Sequence, residues 1–532
     1  MHFRLMEREL MKNLKTGFGA LVLASLLAGG VMGPSPAFAA KTTLTLGAAA
    51  NDVGTLDPHY ATSTSDRTLV AWIYGALVRF APGSTDPATL EPDLAESWQS
   101  SDDKLVWTFK LRSDVKWQAG YGEVTADDVV FSLDKARDPK RSAFSADFAA
   151  FDKVDAVDPH TVRITLSRRV PNLLGLVTNY AGGFIVSKKA FEERKEGFAR
   201  APVGFGPFEV KSIVAGQNVS FVANKDYFRG APKLSTLNYR FINNNASRDL
   251  AFVAGEIEAA AGLANKNWLQ RTEPLPGAVI DVFYPAEVSL LHINITKPPF
   301  DDIRVREALA YAVNPQAVVE FKGARFTTRP TSVVPSNNLG YLKDAGVFPY
   351  DPAKAKALLK DAGFGDGLTF SMLSSQLPEY ETTAQVLQGQ VEDSGIHMQL
   401  QPVEHASWHQ MIRKDLSPVV LYGAARFPIA DIFLTQFYDS ASIVGQPGAV
   451  TNFSHCNVAD KQIREARTEI DPAKQIALWQ EAQRLILKNV CAIPITETSQ
   501  VWVHNQKLKW GFDLKGSMSL GPLVTEATHF ED

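Results

Sequence analysis

The sequence has few of the residues that build a disulfide scaffold, a nucleic-acid-binding surface or a membrane span. Only two of the 532 residues are cysteines, too few for a disulfide-rich fold or a zinc site made of cysteine alone. Lys and Arg (54) are outnumbered by Asp and Glu (58), and a net charge of −4 gives no basic face for nucleic acid. After the first forty residues no apolar run approaches the roughly twenty residues of a membrane-spanning helix. The remaining composition is ordinary and globular, and the length predicts two or three domains.

Motifs of several enzyme classes are also missing. No G-x-S-x-G occurs, and the glycines at 204–206 lack the third glycine of a dinucleotide fingerprint. His405 and His409 have a spacing that could chelate a metal on a helix, but Glu404 precedes them, so the motif is not H-E-x-x-H. Because Pro402 lies nearby, we expect a surface turn with two partly exposed histidines. The sequence thus predicts no catalytic residue, metal or cofactor, with an exported hydrolase kept as an alternative function.

The N-terminus carries an export signal. Lys12 and Lys15 precede an apolar run over 18–28, and Ala-Phe-Ala follows at 37–39. A basic stretch, a short apolar core and an A-x-A site are typical of a cleaved secretory signal peptide. We therefore expect residues 1–39 to be removed and the mature protein to be periplasmic.

Export bears on the two cysteines. The periplasm is oxidising, so Cys456 and Cys491 could form a disulfide there. Two buried free thiols are equally compatible with the sequence, because it does not give their separation in space.

Strand and helix patterns alternate along the chain. Period-two alternation over 105–111 and 162–166 predicts strands. Asp351-Pro352 predicts a helix start and Gly363 its end, and an apolar stripe predicts a second helix after Asp302. Mixed elements throughout indicate an α/β or α+β protein.

A series of motifs along the chain resembles one protein family. They are EPDLAESW (91–98), TADDVVFS (125–132), GFGPF (204–208), PPFD (298–301), RVREAL (304–309) and DAGF (361–364). In this order they resemble the family 5 extracellular solute-binding proteins of ABC importers, the oligopeptide-, dipeptide- and nickel-binding group. The resemblance covers residues 44–510, nearly the whole predicted mature chain.

The resemblance implies an α/β, periplasmic-binding-protein-like clamshell of two lobes with an extra inserted domain. Domain I is discontinuous, over 41–85, 203–288 and 505–532. Domain II is inserted at 86–202, and domain III, the second lobe, spans 289–504. The lobes would close on the ligand by a hinge motion.

The function implied is that of a monomeric periplasmic receptor. It would capture a small organic solute and deliver it to the permease subunits of an ABC importer, with no chemistry and no nucleic acid involved. A chemosensory binding protein and a nickel-chelate binder of the same fold remain alternatives.

One loop departs from the family pattern. Peptide-binding members carry aromatic-x-Ala-Asp-Tyr-Pro-Asp-Pro, and the aspartate pairs with the free amino group of the peptide. Here the stretch is GAARFPIAD (423–431), with Arg426 in the place of that aspartate. A guanidinium would repel an ammonium and suits a carboxylate or phosphate. We expect an anionic or amine-blocked ligand such as an opine or organic acid, unless Arg426 pairs internally with Asp431 or Asp52.

The same resemblance implies further ligand-binding residues. Asn51 and Asp52 follow the first strand, Tyr180 lies where domain II approaches the cleft, and Phe427 adjoins Arg426. Three more match polar or aromatic family positions in domain III: Asn294, Trp408 and Asn452. Such aromatics are often core residues and such asparagines often turns or caps, so a structural role stays open for each.

Overall fold

The computed structural model describes residues 41–346, 348–445 and 451–531. The predicted signal peptide, 1–39, lies outside the described residues. The strands are β1 (Thr43–Ala48), β2 (Val78–Phe80), β3 (Leu90–Pro92), β4 (Ala95–Ser100), β5 (Val106–Leu111), β6 (Phe151–Asp158), β7 (Thr161–Leu166), β8 (Phe208–Val214), β9 (Asn218–Ala223), β10 (Thr236–Phe241), β11 (Ala259–Ala261), β12 (Ala278–Ile293), β13 (Thr327–Thr328), β14 (Leu368–Ser375), β15 (Ile396–Val403), β16 (Val419–Ala424), β17 (Ala492–Asn505), β18 (Leu508–Lys509) and β19 (His529–Phe530).

The α-helices alternate with these strands. They are α1 (Thr64–Ile73), α2 (Ala126–Arg137), α3 (Leu173–Leu176), α4 (Lys188–Arg194), α5 (Asn245–Val253), α6 (Lys266–Thr272), α7 (Ile303–Ala312), α8 (Pro315–Lys322), α9 (Pro352–Asp361), α10 (Pro378–Glu392), α11 (His405–Arg413), α12 (Ala430–Tyr438), α13 (Asp460–Thr468) and α14 (Pro472–Lys488). Within the described ranges, every helix is too short or too polar to traverse a lipid bilayer.

The largest sheet of the described chain has nine strands. Their order is β16-β12-β17-β11-β1-β10-β9-β8, with β13 beside β17. β1 runs parallel to both of its neighbours. Helix α1 packs on this sheet through Trp72, whose ring lies edge to face on Tyr239 of β10, with centroids 5.6 Å apart. This packing fixes the position of α1 and of the side chains on its first turns.

Two long antiparallel strands run through the sheet. β12 has 16 residues and β17 has 14, and their register shifts between Phe283 and Glu287. Beyond the shift β12 pairs with β16, whereas the end of β17 pairs with β11. The expected domain boundary at 288/289 thus falls inside β12. Residues 502–504, which the resemblance assigns to domain III, pair with β11 next to β1.

The segment expected as domain II, 86–202, has a sheet of its own. Four antiparallel strands lie in the order β4-β5-β7-β6. Both strands predicted from period-two alternation, β5 and β7, are present and pair with each other. Their inward side chains Phe109 and Ile164 are fully buried, whereas Trp107 is half-buried.

The predicted helices are also confirmed. α9 begins after Asp351, whose carboxylate accepts the Lys354 N–H (2.9 Å), and Gly363 follows its end with φ +93°. α7 begins after Asp302, whose carboxylate accepts the Arg304 N–H (2.8 Å). Both starts follow the local rule that a short acidic side chain satisfies a free amide of the first turn.

The two cysteines are bonded to each other. Cys456 and Cys491 form a disulfide with Cα atoms 5.9 Å apart, and both side chains are fully buried. This decides between the two alternatives that the sequence left open.

Candidate functional site

Arg426 lies in the turn between β16 and α12. Its Nε donates to Oε1 of Gln436 (2.9 Å), its Nη1 donates to the carbonyl of Ala425 (3.0 Å), and its Cζ lies 5.8 Å from the ring centroid of Phe437. These contacts hold the guanidinium in place through neutral groups. Within the described residues it forms no ion pair with any carboxylate.

Neither internal partner considered for Arg426 takes that role. Asp431 lies 3.5 Å from Nε of Arg467, and Oδ1 of Asp52 accepts the N–H of Val53 (2.8 Å). The guanidinium therefore keeps its charge without a carboxylate partner in the described chain.

Arg426 is shielded from water, and the groups around it favour its positive charge. Burial lowers the pKa of this guanidinium, but Tyr422, Tyr180 and Asp147 together raise the pKa above its ordinary value. Burial in turn raises the pKa of Asp147, against the influence of Arg426 and Arg467. Arg426 retains partial solvent exposure despite this desolvation.

Aromatic rings connect Arg426 to the segment 86–202 and to α1. The buried ring of Phe427 lies 5.4 Å from Phe80 and 6.3 Å from Tyr180, centroid to centroid. Tyr180 in turn lies under the guanidinium of Arg67, with Cζ 5.5 Å from the ring centroid. The structure thus brings together Arg426, Phe427 and Tyr180, three of the residues that the resemblance implies.

A carboxylate that the sequence analysis missed lies beside this cluster. Oε1 of Glu287 on β12 lies so close to Gly423 that a Cβ there would be 2.0 Å away. The N–H of Gly423 donates to the hydroxyl of Tyr380 (3.2 Å). Burial raises the pKa of Glu287, while Lys322 and Arg426 lower it. A lone carboxylate in the apolar stretch AEVSLLHI (286–293) was the sequence signal that could have found it.

Trp408 belongs to an aromatic stack next to Tyr422. It is buried, its Nε1 donates to the carbonyl of Leu373 (3.2 Å), and it stacks on Tyr422 at 6.0 Å and 17°. Tyr422 interacts with Arg426, so Trp408 packs against a residue that helps to position the guanidinium.

The expected surface turn around the two histidines is a helix. His405 and His409 lie on α11, are partly buried, and have ring centroids 4.5 Å apart. His405 also contacts Oγ of Ser375 through Nδ1 (2.9 Å), and burial lowers the pKa of His409 to about 4. Pro402 lies in strand β15, so it does not interrupt the helix that follows. In the described residues no three metal-ligating side chains come together.

Asn294 and Asn452 are buried in loops that they themselves hold. The amide of Asn452 donates to the carbonyls of Asp439 (3.0 Å) and Cys456 (2.8 Å) and accepts the N–H of Cys456 (3.2 Å). Asn294 donates to Asp415 (3.1 Å) and accepts the N–H of Thr296 (3.0 Å). These hydrogen bonds serve the fold, and in the described residues no side-chain hydrogen bond joins either asparagine to Arg426, Phe427 or Tyr180.

Asn51 and Asp52 lie at a separate pocket. Asn51 is exposed and Asp52 half-buried, directly after Ala49 and Ala50. Those alanines line a pocket of about 210 Å³ together with the first residues of α1, the end of β11 and part of β17. Its polar lining residues include Thr64, Ser65, Ser499 and Gln500, and neither Asn51 nor Asp52 lines it.

The family model for bacterial extracellular solute-binding proteins, family 5, matches residues 89–444. The chain belongs to this family. It is 29% identical over 515 residues to the glutathione-binding protein GsiB of Salmonella typhi, covering 92% of this chain and 94% of that one. The family 5 resemblance read from the sequence is confirmed, as is a solute-binding function in ABC import.

Solved structures of family 5 proteins share the fold. MoaA of A. tumefaciens R10, in complex with mannopinic acid, is 64% identical, with a TM-score of 0.86 over 93% of this chain and 100% of that chain. DppA of Helicobacter pylori, in complex with the peptide STSA, is 25% identical, with a TM-score of 0.80 over 93% and 99%. The expected α/β periplasmic-binding-protein fold is confirmed.

Proposed function

We propose that this family 5 protein binds an anionic solute whose amino nitrogen is substituted, an opine acid of the mannopinic acid type. The observation that carries the proposal is Arg426, a guanidinium whose side-chain hydrogen bonds go to neutral groups and which forms no direct ion pair within the described residues. Burial removes water from this cation, and a ligand carboxylate would add a charge-assisted hydrogen bond in its place. Carboxylates match its planar fork of donors.

The similarity to MoaA supports the same ligand class. That protein is 64% identical over 93% of this chain and was solved with mannopinic acid. An opine acid is an amino acid whose nitrogen carries a further substituent. It therefore offers carboxylates to Arg426, and its nitrogen is a secondary amine rather than the primary ammonium of a peptide N-terminus.

Membership of family 5 supports the rest of the proposal. The protein acts in the periplasm and passes its ligand to the permease of an ABC importer, as a monomer with three domains. β12 and β17 form the hinge, because both continue through the irregular pairing near Phe283 and Glu287. Arg426 and Phe427 belong to one lobe and Tyr180 to the other, so closure of the lobes brings these residues together around the ligand.

The ligand class is tested by a binding screen on the purified protein. Mannopinic acid, other opine acids, simple dicarboxylates, di- and tripeptides and nickel chelates are compared by thermal shift and then by calorimetry. A ligand at 100 times its dissociation constant adds about 2.7 kcal/mol of stability, which is well within reach of a melting curve. Stabilisation by opine acids and none by free peptides is expected. Tight binding of ordinary peptides would overturn the assignment.

The same samples test whether the protein is a receptor or an enzyme. Ligand released from the complex by denaturation is analysed by mass spectrometry after prolonged incubation. A receptor returns the ligand unchanged, whereas an exported hydrolase would return products.

A further inference from the structure

A second guanidinium without an anionic partner lies near Arg426, on α1. Nε of Arg67 is buried and has no hydrogen-bond partner in the described residues. Across the same ranges its side chain forms no ion pair. Leaving a buried donor of a charged group unsatisfied is unfavourable, because it gives up hydrogen bonds to water without replacement.

The carboxylate next to Arg67 in the sequence is directed elsewhere. Asp66 accepts the N–H of Gly54 (2.9 Å) and the N–H of Asp66 donates to Oγ of Ser63 (3.2 Å) at the start of α1. Asp66 therefore serves the local turn and the helix cap. Within the described residues, the contact given for the guanidinium of its neighbour Arg67 is with the ring of Tyr180.

That ring is Tyr180, which also belongs to the Arg426 cluster. Cζ of Arg67 lies 5.5 Å from the Tyr180 centroid, and Tyr180 lies 6.3 Å from Phe427. Tyr180 is also among the groups that influence the guanidinium of Arg426. Arg67 thus lies over the ring of Tyr180, and Arg426 directly precedes Phe427, whose ring is next to that of Tyr180.

We propose that Arg67 and Arg426 each bind one acidic group of the same ligand, so that the solute is a diacid held from both sides of the cleft. The inference rests on the proposed function and deepens it by assigning each of the two carboxylates of such an opine to its own arginine. Two like charges near one ring pair repel each other, and a ligand with two negative groups compensates both. Because Arg67 lies on α1 and Arg426 on the opposite lobe of the proposed clamshell, the second carboxylate also favours the closed form.

The test compares two ligands and two substitutions by calorimetry. The ligands are mannopinic acid, with two carboxylates, and its side-chain monoamide, with one. The variants are Arg67→Gln and Arg426→Gln, with Arg141→Gln as the matched control, since Arg141 also packs over a ring, that of Phe131, at 5.0 Å. Thermal melting of each ligand-free variant checks that it is folded.

Each cleft substitution is expected to weaken diacid binding about tenfold or more, since a hydrogen-bonded charge pair is lost. For the monoamide, only one of the two substitutions has that effect, because one arginine has already lost its carboxylate. Arg67→Lys keeps the charge and is expected to retain part of the diacid affinity.

Three results would contradict the proposals, and they differ from one another. Unaltered diacid binding by Arg67→Gln, with wild-type binding intact, overturns the role of Arg67 and leaves the opine assignment standing. If both variants lose affinity equally for the diacid and the monoamide, the proposal that each arginine binds one carboxylate is wrong. Failure of the wild-type protein to bind either ligand overturns the proposed function itself.

Discussion

The carboxylate of Glu287 lies against the backbone of Gly423, so close that a Cβ at this position would be 2.0 Å from Oε1. Residues far apart in the sequence thus meet where β12 and β16 pair and where the turn with Arg426 begins. The contact requires glycine at 423 for space.

Gly423→Ala is therefore expected to lower stability by about 1–3 kcal/mol, the usual cost of overpacking, and to weaken ligand binding by displacing Glu287. Denaturant melts and calorimetry measure the two effects. Gly389→Ala is the control, since a Cβ there meets no atom within 4 Å, and it should stabilise helix α10 slightly. If Gly423→Ala melts like the wild type, Glu287 does not occupy this position.

The disulfide between Cys456 and Cys491 closes a loop with a sequence separation of 35. Replacing both cysteines by alanine is expected to cost about 2–4 kcal/mol of unfolding free energy, chiefly because the unfolded chain gains freedom. Adding reductant to the wild-type protein should lower its melting temperature toward that of the variant and leave the variant unchanged. A variant as stable as the oxidised wild type would contradict the bond.

His292 is buried among Phe437, Tyr438 and Phe453, with both ring nitrogens unpartnered in the described residues. Burial lowers its pKa to about 3. The unfolded chain protonates His292 more readily than the folded protein does. The free energy of unfolding is therefore unaffected by His292 above about pH 6.5 and decreases as the pH falls toward 3.

His292→Phe keeps the aromatic packing. It should make the decrease of the unfolding free energy with falling pH less steep, by up to about 1.4 kcal/mol per pH unit. Urea melts between pH 4 and 7 measure the slope, with His397→Phe on the surface as the control. An identical slope in His292→Phe and wild type would show that His292 is not the group responsible.

Asn452 has a structural role in the fold through its four hydrogen bonds to the surrounding loop. Asn452→Ala is expected to lower stability by about 3 kcal/mol, since buried partners lose their bonds. The affinity of the folded fraction for ligand should stay unchanged. A large loss of ligand affinity without a loss of stability would show that Asn452 acts in ligand binding.

The sequence predicted the elements that depend on local rules. The cap at Asp351, the stop at Gly363 and the alternation in β5 each act within a few residues, so their signal is complete in the sequence. The resemblance placed Arg426, Phe427 and Tyr180 in one site because the order of family motifs carries long-range information. The sequence analysis did not identify Glu287 and Arg67, because their roles depend on which residues pack beside them in the folded protein.

Helix α11, which carries His405 and His409, was wrongly expected to be a turn because the sequence does not show strand pairing. Pro402 suggested a loop, yet it is the last but one residue of the edge strand β15, where a proline is tolerated because no ladder bond is needed on its free side. The helix α11 then begins two to three residues later. Only the pairing of β15 with β14 reveals that the proline belongs to a strand.

The central claim, that Arg426 binds an acidic group of the ligand, is tested most directly by titrating mannopinic acid into wild-type protein, Arg426→Gln and the surface control Arg325→Gln. Loss of a buried, charge-assisted contact predicts an affinity at least about tenfold lower for Arg426→Gln and unchanged for Arg325→Gln. Equal affinities in all three proteins, with Arg426→Gln shown to be folded, would contradict the account.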